Sequence, residues 1–429
     1  PMLKWLKILL MLQNPRIVGT PLRVLRELRR RGIERLPGKV GAELQKKRPG
    51  LATLRYVAQW LSSENPTRHK GRWVLNSFLP PFPSQAFDNM FLALLSGRRL
   101  SPVSAYLAPT ARCSFHCPHC SARQRPTDEL PTATWLHVIR QLHGLHTAII
   151  GFTGGDPILR DDLPELIQTA ADGGSAVILF TTGQHFDRFY AERLRKAGLW
   201  AVCFSLDWSE PAAFNAFRGH PQAFAMVESA IQAARRAGLY TMLGAVATPD
   251  FVDKQEYLAL QRLGRTWGVH ELRIVESMPC GNWRNAPESQ LLTSEQIKQL
   301  RQFHVSSNQA ARRPKVCAFN QIESPEVFGC GGGTQHLYID SAGAVCPCDF
   351  TPMSFGNITE ENLEDIWLRM NQALGNPRRE CLIRKHHRSL EKWMTDKGEY
   401  PLQPENSCRF CQTIPEPELS DYFKILQQR

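Results

Sequence analysis

No stretch of the 429 residues reaches the about 18 uninterrupted apolar positions that a membrane-crossing helix needs. The first apolar run carries Lys4 and Lys7 and lacks a small-residue cleavage site, so it does not read as a secretory signal. A cytoplasmic location is the expectation. Without an oxidising compartment, the twelve cysteines do not read as a disulfide framework; thiols clustered with Gly and Pro more often bind metal there. Positive charge is missing from most of the chain as well. The formal net charge is +12, yet residues 1–50 hold thirteen Lys and Arg against three Glu, which leaves only +2 for the other 379 residues. That remainder cannot track a phosphate backbone, and no nucleic-acid partner is expected.

The N-terminal charge sits on amphipathic sequence. Residues 2–12 form a short apolar helical stretch with Trp5 and two lysines. After Pro15, Thr20 and Pro21 supply an N-cap and a first helical position, and Leu22, Leu25 and Leu28 oppose Arg23, Arg26, Arg29 and Arg30. Residues 2–35 suit either a membrane surface rich in anionic headgroups or a helical collar with a solvated basic face. Residues 51–100 are weakly patterned. Within them, 73–83 reads as an extended segment laid across the folded body, since Pro80 and Pro81 forbid a helix and Trp73, Phe78 and Phe82 need cover.

Between residues 101 and 276 short apolar strands alternate with helices. Strands are expected at 104–107, 148–152, 176–181, 201–206, 240–247 and 271–275, and helices at 136–142, 163–171, 189–196, 224–237 and 256–267. Six βα repeats make a parallel sheet with helices outside it, and parallel βα folds carry function at the C-terminal ends of their strands. Beyond the first strand comes Cys113-Ser-Phe-His-Cys117-Pro-His-Cys120. Soft thiolates at this spacing suit an iron–sulfur cluster with one open iron, or a zinc knuckle completed by His116 or His119. The second strand ends Gly151-Phe-Thr-Gly-Gly-Asp-Pro157, where Gly154 and Gly155 permit close approach to a ligand and Asp156 can accept a hydrogen bond.

Together these motifs resemble the radical S-adenosylmethionine (SAM) superfamily, whose defining loop is C-x3-C-x2-C. The resemblance implies an α/β fold, a partial (β/α)6 TIM-like barrel at residues 101–278, behind a helical basic extension at 1–100. It implies a [4Fe-4S] cluster on Cys113, Cys117 and Cys120, the catalytic residues, whose open iron binds SAM. SAM is then cleaved reductively to a 5'-deoxyadenosyl radical that abstracts hydrogen from a substrate. Glu stands in the family where this chain has Asp156, which keeps the acceptor but shortens its reach. By the same resemblance Phe115, Thr153, Gly154, Gly155, Asp156 and Thr181 meet SAM, Ser205 and Arg218 approach its carboxylate, and Glu276 is placed among the cofactor contacts. Arg273 and Glu276 point to opposite faces of the sixth strand.

After residue 279 the composition turns to cysteine and glycine. Residues 336–340 alternate as a strand, 341–343 turn, and Val345 begins the return. Cys330, twelve residues, Gly343, four residues and Cys348 resemble the opening of a SPASM or twitch auxiliary-cluster domain at 279–429, with Cys381 and Cys408-x2-Cys411 as its later part. At least one auxiliary [4Fe-4S] cluster is implied, held by Cys330, Cys348 and two among Cys346, Cys381, Cys408 and Cys411; a structural zinc on the same thiols is the alternative. Cys203 reads as a small apolar filler, Cys280 and Cys317 have either a ligand or a substrate-side role, and His386 and His387 read as surface.

The family uses such extensions largely on peptides and proteins, so oxidative modification or crosslinking of a peptide or protein is the expected reaction. Residues 1–60 lack the strands of a winged leader-binding domain. The alternative is radical C–C bond formation or oxidation of a lipid or isoprenoid-like substrate at the inner face of the membrane. Either reaction needs a low-potential electron donor such as flavodoxin or ferredoxin.

Overall fold

The computed structural model describes residues 51–95 and 101–427. The basic helices expected within residues 2–35 lie outside the described residues.

Eleven strands are described: β1 (Thr67–His69), β2 (Arg72–Val74), β3 (Ser104–Thr110), β4 (Ile149–Gly154), β5 (Ala176–Thr181), β6 (Ala201–Ser205), β7 (Tyr240–Ala247), β8 (Glu271–Glu276), β9 (Lys315–Ala318), β10 (His336–Ile339) and β11 (Val345–Cys346). The first two pair with each other, and the other nine form one sheet in the order β11-β10-β3-β4-β5-β6-β7-β8-β9. Every pairing from β10 to β9 is parallel, and only β10–β11 is antiparallel. The six strands expected from apolar runs are β3 to β8. Helices Thr132–Gly144, Leu163–Asp172, Arg188–Lys196, Ala223–Ala237 and Glu256–Thr266 fall where the 3.6-residue pattern put them.

Alternation along each strand divides the side chains between two environments. Ile150, Leu179, Val202, Phe204, Leu243 and Leu272 pack outward with helix residues such as Trp135, Leu166 and Ile231 in the main core. Full burial of each such side chain stabilises the fold by roughly 1.5–3 kcal/mol. Their neighbours Ile149, Ile178, Cys203, Tyr240 and Met242 point the other way and form a separate cluster with Val74 and Ala86. Cys203 is thus an apolar filler of the barrel interior.

The segment 73–83 lies across that interior. Trp73 and Phe82 form a bridge and are both buried, and the Ser77 amide donates to Glu271 Oε1 across 3.1 Å. It closes the lumen at the N-terminal ends of the strands.

The sheet does not end with the sixth strand. β9 adds in parallel to β8, and β10 adds in parallel to β3, with His336 opposite Ser104 and Leu337 opposite Ala105. The hairpin expected at 336–346 exists, with Tyr338 opposite Cys346, but its first strand is part of the barrel's own sheet. The cysteine-rich region is therefore fixed to β3, the strand that leads into the first cysteine loop. Helices Leu363–Leu374, Leu382–Lys397, Pro404–Thr413 and Asp421–Gln427 complete the chain. No described helix is long and apolar enough to cross a membrane.

Candidate active site

The loop after β3 carries three free thiols, with Cys117 buried and Cys113 and Cys120 half-buried. Two distant elements hold its backbone. The His116 amide donates to the Arg218 carbonyl across 3.2 Å, at the end of helix Pro211–Arg218. On the other side, the turn after β8 grips Cys117 and Cys120. Asn282 donates from its amide to the Cys120 carbonyl (3.1 Å) and from Nδ2 to the Cys117 carbonyl (2.9 Å). Gly281 has φ +55°, and a Cβ there would stand 2.0 Å from the Cys120 carbonyl oxygen, so this contact needs glycine.

Burial pushes the Cys113 thiol up to about 11 and raises Cys117 as well; at Cys117 the Arg218 guanidinium opposes the shift. Arg218 donates from Nη1 to the Cys117 sulfur across 3.2 Å and pairs through Nη2 with Asp207. Desolvated thiols of this kind become thiolates when a metal takes the place of their protons. Among the described residues no three potential ligands already converge as a metal site, so the fit rests on neighbourhood. Cys113 lies within electrostatic reach of both Cys117 and Cys120, as one cluster requires. His119 is turned away from this group. Its ring stacks on Phe217 with centroids 5.0 Å apart, its Nε2 faces Asp207 Oδ1 at 4.0 Å, and burial lowers its pKa to about 4. The three-thiol reading fits this loop better than a zinc knuckle closed by His119.

The Gly154–Gly155–Asp156 turn packs against the stem of the cysteine loop. Gly154, at φ +116°, and Gly155 would place a Cβ within 2.5 Å and 2.0 Å of the Thr110 and Arg112 carbonyl oxygens. Their amide neighbours complete the contact: Gly155 donates to Thr110 (2.8 Å) and Asp156 to Arg112 (2.7 Å). The glycines allow close approach of this turn to the stem of the cysteine loop. Asp156 is buried, and its carboxylate accepts from Thr181 Oγ1 (2.7 Å), the Thr182 amide (3.0 Å) and the Thr182 hydroxyl. Asp156, the carboxylate the resemblance sets beside SAM, ties the ends of β4 and β5 together, with Thr181 as one of its partners.

Other expected contacts are dispersed. Phe115 is buried in the core and stacks on His220 with centroids 5.0 Å apart. Glu276, at the end of β8, pairs with Arg384 of helix Leu382–Lys397. Thr153 and Ser205 stand half-buried at the C-terminal ends of β4 and β6. Asp207, Gly281 and Asn282 were not identified by motif; only a fixed loop backbone would require them.

The second group of cysteines gathers around the N-terminal end of β3. Cys330 is lowered to about 6, chiefly by a hydrogen bond from the Cys381 thiol, whose own pKa is raised by the same contact. Cys348 lies within electrostatic reach of both. Cys408 and Cys411 neighbour each other on helix Pro404–Thr413, and Arg378 lies near both Cys411 and Cys330. Cys346 stands apart. It is buried with Ala108 and Tyr338, and its sulfur accepts from Arg125 Nη1 at 3.5 Å. Cys317 is buried in β9, and Cys280 lies near Cys120, Asp349 and Arg125.

Arg125 links the two regions. It follows the first cysteine loop, yet it donates to the Asp349 carbonyl (3.1 Å), lies 3.7 Å from Asp340 and covers the Tyr338 ring at 4.7 Å.

Residues 107–260 match the radical SAM superfamily, and residues 330–395 match the iron–sulfur cluster-binding SPASM domain. Among curated proteins, the chain is similar to an AdoMet-dependent heme synthase of Methanosarcina barkeri. Identity is 26% over 282 residues, covering 60% of this chain and 80% of that one. A PqqA peptide cyclase of Xanthomonas axonopodis pv. citri is 27% identical over 289 residues, covering 62% and 74%. Among solved structures, Streptococcus suis SuiB bound to precursor peptide SuiA has a TM-score of 0.53 at 15% identity, covering 65% of this chain and 68% of that one. Native anSMEcpe with bound AdoMet has a TM-score of 0.52 at 16% identity, covering 76% and 95%. These two structures share the fold. With the partial barrel, the three-thiol loop beyond its first strand and the thiols anchored on the same sheet, the chain belongs to the radical SAM superfamily and carries a C-terminal SPASM domain.

Proposed function

We propose that this radical SAM enzyme carries out an oxidative modification or crosslink on a peptide or protein held in the barrel lumen, between the two groups of cysteines. The observation that carries the reading is their placement at opposite ends of one strand. Cys113, Cys117 and Cys120 follow Thr110 at the end of β3, while Cys330 and Cys348 flank the segment that pairs with Ser104 at its start. The seven residues of β3 hold these ends about 20 Å apart.

Cys113, Cys117 and Cys120 would hold a [4Fe-4S] cluster and leave one iron for SAM; Cys330, Cys348 and Cys381, with Cys408 or Cys411, would hold the auxiliary cluster. When bound, the first cluster and SAM supply a 5'-deoxyadenosyl radical able to take hydrogen from an unactivated C–H bond. The chain's own part is placement. Arg218 and Asp207 set the Cys117 sulfur, Asn282 sets the loop, and Thr153 and Ser205 stand at the C-terminal ends of β4 and β6. The segment 73–83 keeps water from entering at the N-terminal ends of the strands. A low-potential flavodoxin or ferredoxin would deliver the electron, in the cytoplasm, with residues 2–35 available to a membrane surface.

Likeness to the PqqA peptide cyclase and to SuiB supports a peptide substrate. Likeness to the heme synthases favours a second reading, in which the lumen takes a tetrapyrrole. Incubating the anaerobically reconstituted enzyme with SAM, dithionite and either a pooled peptide digest or an iron porphyrin separates the two. Mass changes confined to peptides, and absent with Cys117→Ala, are expected. Consumption of the porphyrin with all peptides unchanged would select the second reading.

A further inference from the structure

Arg273 is the third residue of β8 and points into the lumen, only 5% exposed. Its hydrogen bonds go to neutral groups: Nη1 donates to Ser77 Oγ (3.0 Å) and Nη2 to the Tyr106 hydroxyl (3.1 Å). Aromatic faces flank it, with Phe78 3.9 Å and Phe180 5.2 Å from the guanidinium carbon, and the Asp349 carboxylate lies within its electrostatic reach without touching it. Among the described residues no carboxylate lies within ion-pair distance of it. The nearest candidate on the same strand, Glu271, is committed elsewhere. Its oxygens accept from the Ser77 amide and from the Tyr240 hydroxyl (3.0 Å), and its cationic neighbour is Lys315 at 4.0 Å.

A buried cation without a contacting carboxylate is costly, and cation–π contacts, neutral acceptors and the more distant Asp349 and Glu271 recover only part of that cost. A guanidinium has five N–H donors in a fixed fork, of which two have protein acceptors here. Such a group accepts a carboxylate with two parallel hydrogen bonds, a geometry no ammonium reproduces. Its position adds a direction. Tyr106, its partner, is the third residue of β3, so the guanidinium lies part-way along the strand whose ends carry the two cysteine groups. The imidazole of His336 stands edge-on to the Tyr106 ring, with ring centroids 4.7 Å apart, and burial leaves it uncharged near neutral pH.

We infer that Arg273 is a substrate-binding residue that receives a carboxylate of the substrate inside the lumen, selecting substrates with an acid group near the reacting carbon. This deepens the functional reading given above and rests on it for what the rest of the substrate is. An acidic side chain or a peptide C-terminus brings the same group, and the two sources are distinguished by the probe.

The test uses the reconstituted full chain without SAM turnover, so its outcome is independent of whether SAM cleavage modifies peptides. Binding is followed by the side-chain NMR signals of 15N-arginine-labelled protein, titrated with N-acetylglutamate α-amide (side-chain acid), N-acetylalanine (terminal acid) and the neutral N-acetylglutamine α-amide. Saturable binding of at least one acid is expected, about tenfold tighter than the neutral amide and weakened about tenfold in Arg273→Gln. Arg273→Lys keeps the charge and should lose about as much affinity, because the fork is gone. Whichever acid binds more tightly names the source. Equal binding of acid and amide, undiminished binding in a folded Arg273→Gln protein, or no saturable binding of either acid would overturn the assignment and leave Arg273 as a tie for Ser77 and Phe78.

Discussion

Arg218 stands between Cys117 and Asp207, donating to the sulfur at 3.2 Å while pairing with the carboxylate, and all three side chains are buried. Asp207 in turn accepts from the Val246 amide at 2.9 Å, which ties the group to β7. The family resemblance put Arg218 near the SAM carboxylate; here its guanidinium also sets the charge around the Cys117 thiol. Removing one member of a buried ion pair leaves the other unpaired, so Asp207→Asn should destabilise the protein by about 3 kcal/mol or more. Urea unfolding measures this directly. A loss below about 1 kcal/mol would mean that water, not Asp207, compensates the guanidinium.

Gly281→Ala should impair iron retention in the first site without emptying the second. An added Cβ meets the Cys120 carbonyl at 2.0 Å on a residue with positive φ, and the loop must move to admit it. Asn282→Ala removes only hydrogen bonds, about 1 kcal/mol each, and should have the milder effect. Iron and sulfide analysis of each variant in a Cys330→Ala, Cys348→Ala background reads the first site alone. Full occupancy in Gly281→Ala would contradict the tight contact.

The two cysteine groups should load independently. With Cys113, Cys117 and Cys120 all replaced by Ala, about one cluster's worth of iron should remain, and Cys381→Ala added to that background should remove it. Cys346→Ala should leave iron unchanged, because that thiol faces Arg125 and Tyr338 rather than Cys330. Iron lost with Cys346 and kept without Cys381 would reverse the proposed ligand set.

Acid should weaken the fold well before its carboxylates protonate. Burial lowers both His270 and His336 to about 3 in the folded protein, against an ordinary value of about 6.5. Between those values the unfolded chain binds protons that the native state refuses. The stabilisation is therefore complete above pH about 6.5 and is lost as pH falls toward 3, by about 1.4 kcal/mol per pH unit for each histidine. Urea midpoints against pH should show this slope, and His336→Asn should reduce it. An unchanged slope in that variant would mean His336 takes up its proton without unfolding.

Much of this arrangement was legible in the sequence where one local pattern decides it. The six strands β3 to β8 and their helices follow from apolar runs, and the C-x3-C-x2-C loop is identifiable by spacing alone. What was hidden depends on partners far along the chain. β9 is a four-residue strand beginning with Lys315, whose charge is hidden in the lumen against the Val74 carbonyl, and no periodicity marks it. The parallel pairing of β10 with β3 joins residues more than two hundred positions apart, so the hairpin read as a separate unit. Gly154 and Gly155 were expected at a close approach, and they make one with the Thr110 and Arg112 carbonyls, a partner no local pattern names. Cys346 and Cys348 are two residues apart and equivalent by spacing; only the end of β11 at Cys346 parts them.

The central claim is that the three thiols of the first loop hold an iron–sulfur cluster with one iron open to SAM. Electron paramagnetic resonance of the reduced protein, with Cys330, Cys348 and Cys381 replaced so that only the first site can contribute, tests it most directly. A four-iron signal that changes on adding SAM, and that is missing in Cys117→Ala, is the predicted result. A spectrum indifferent to SAM, or a mononuclear zinc on those thiols by metal analysis, would contradict it.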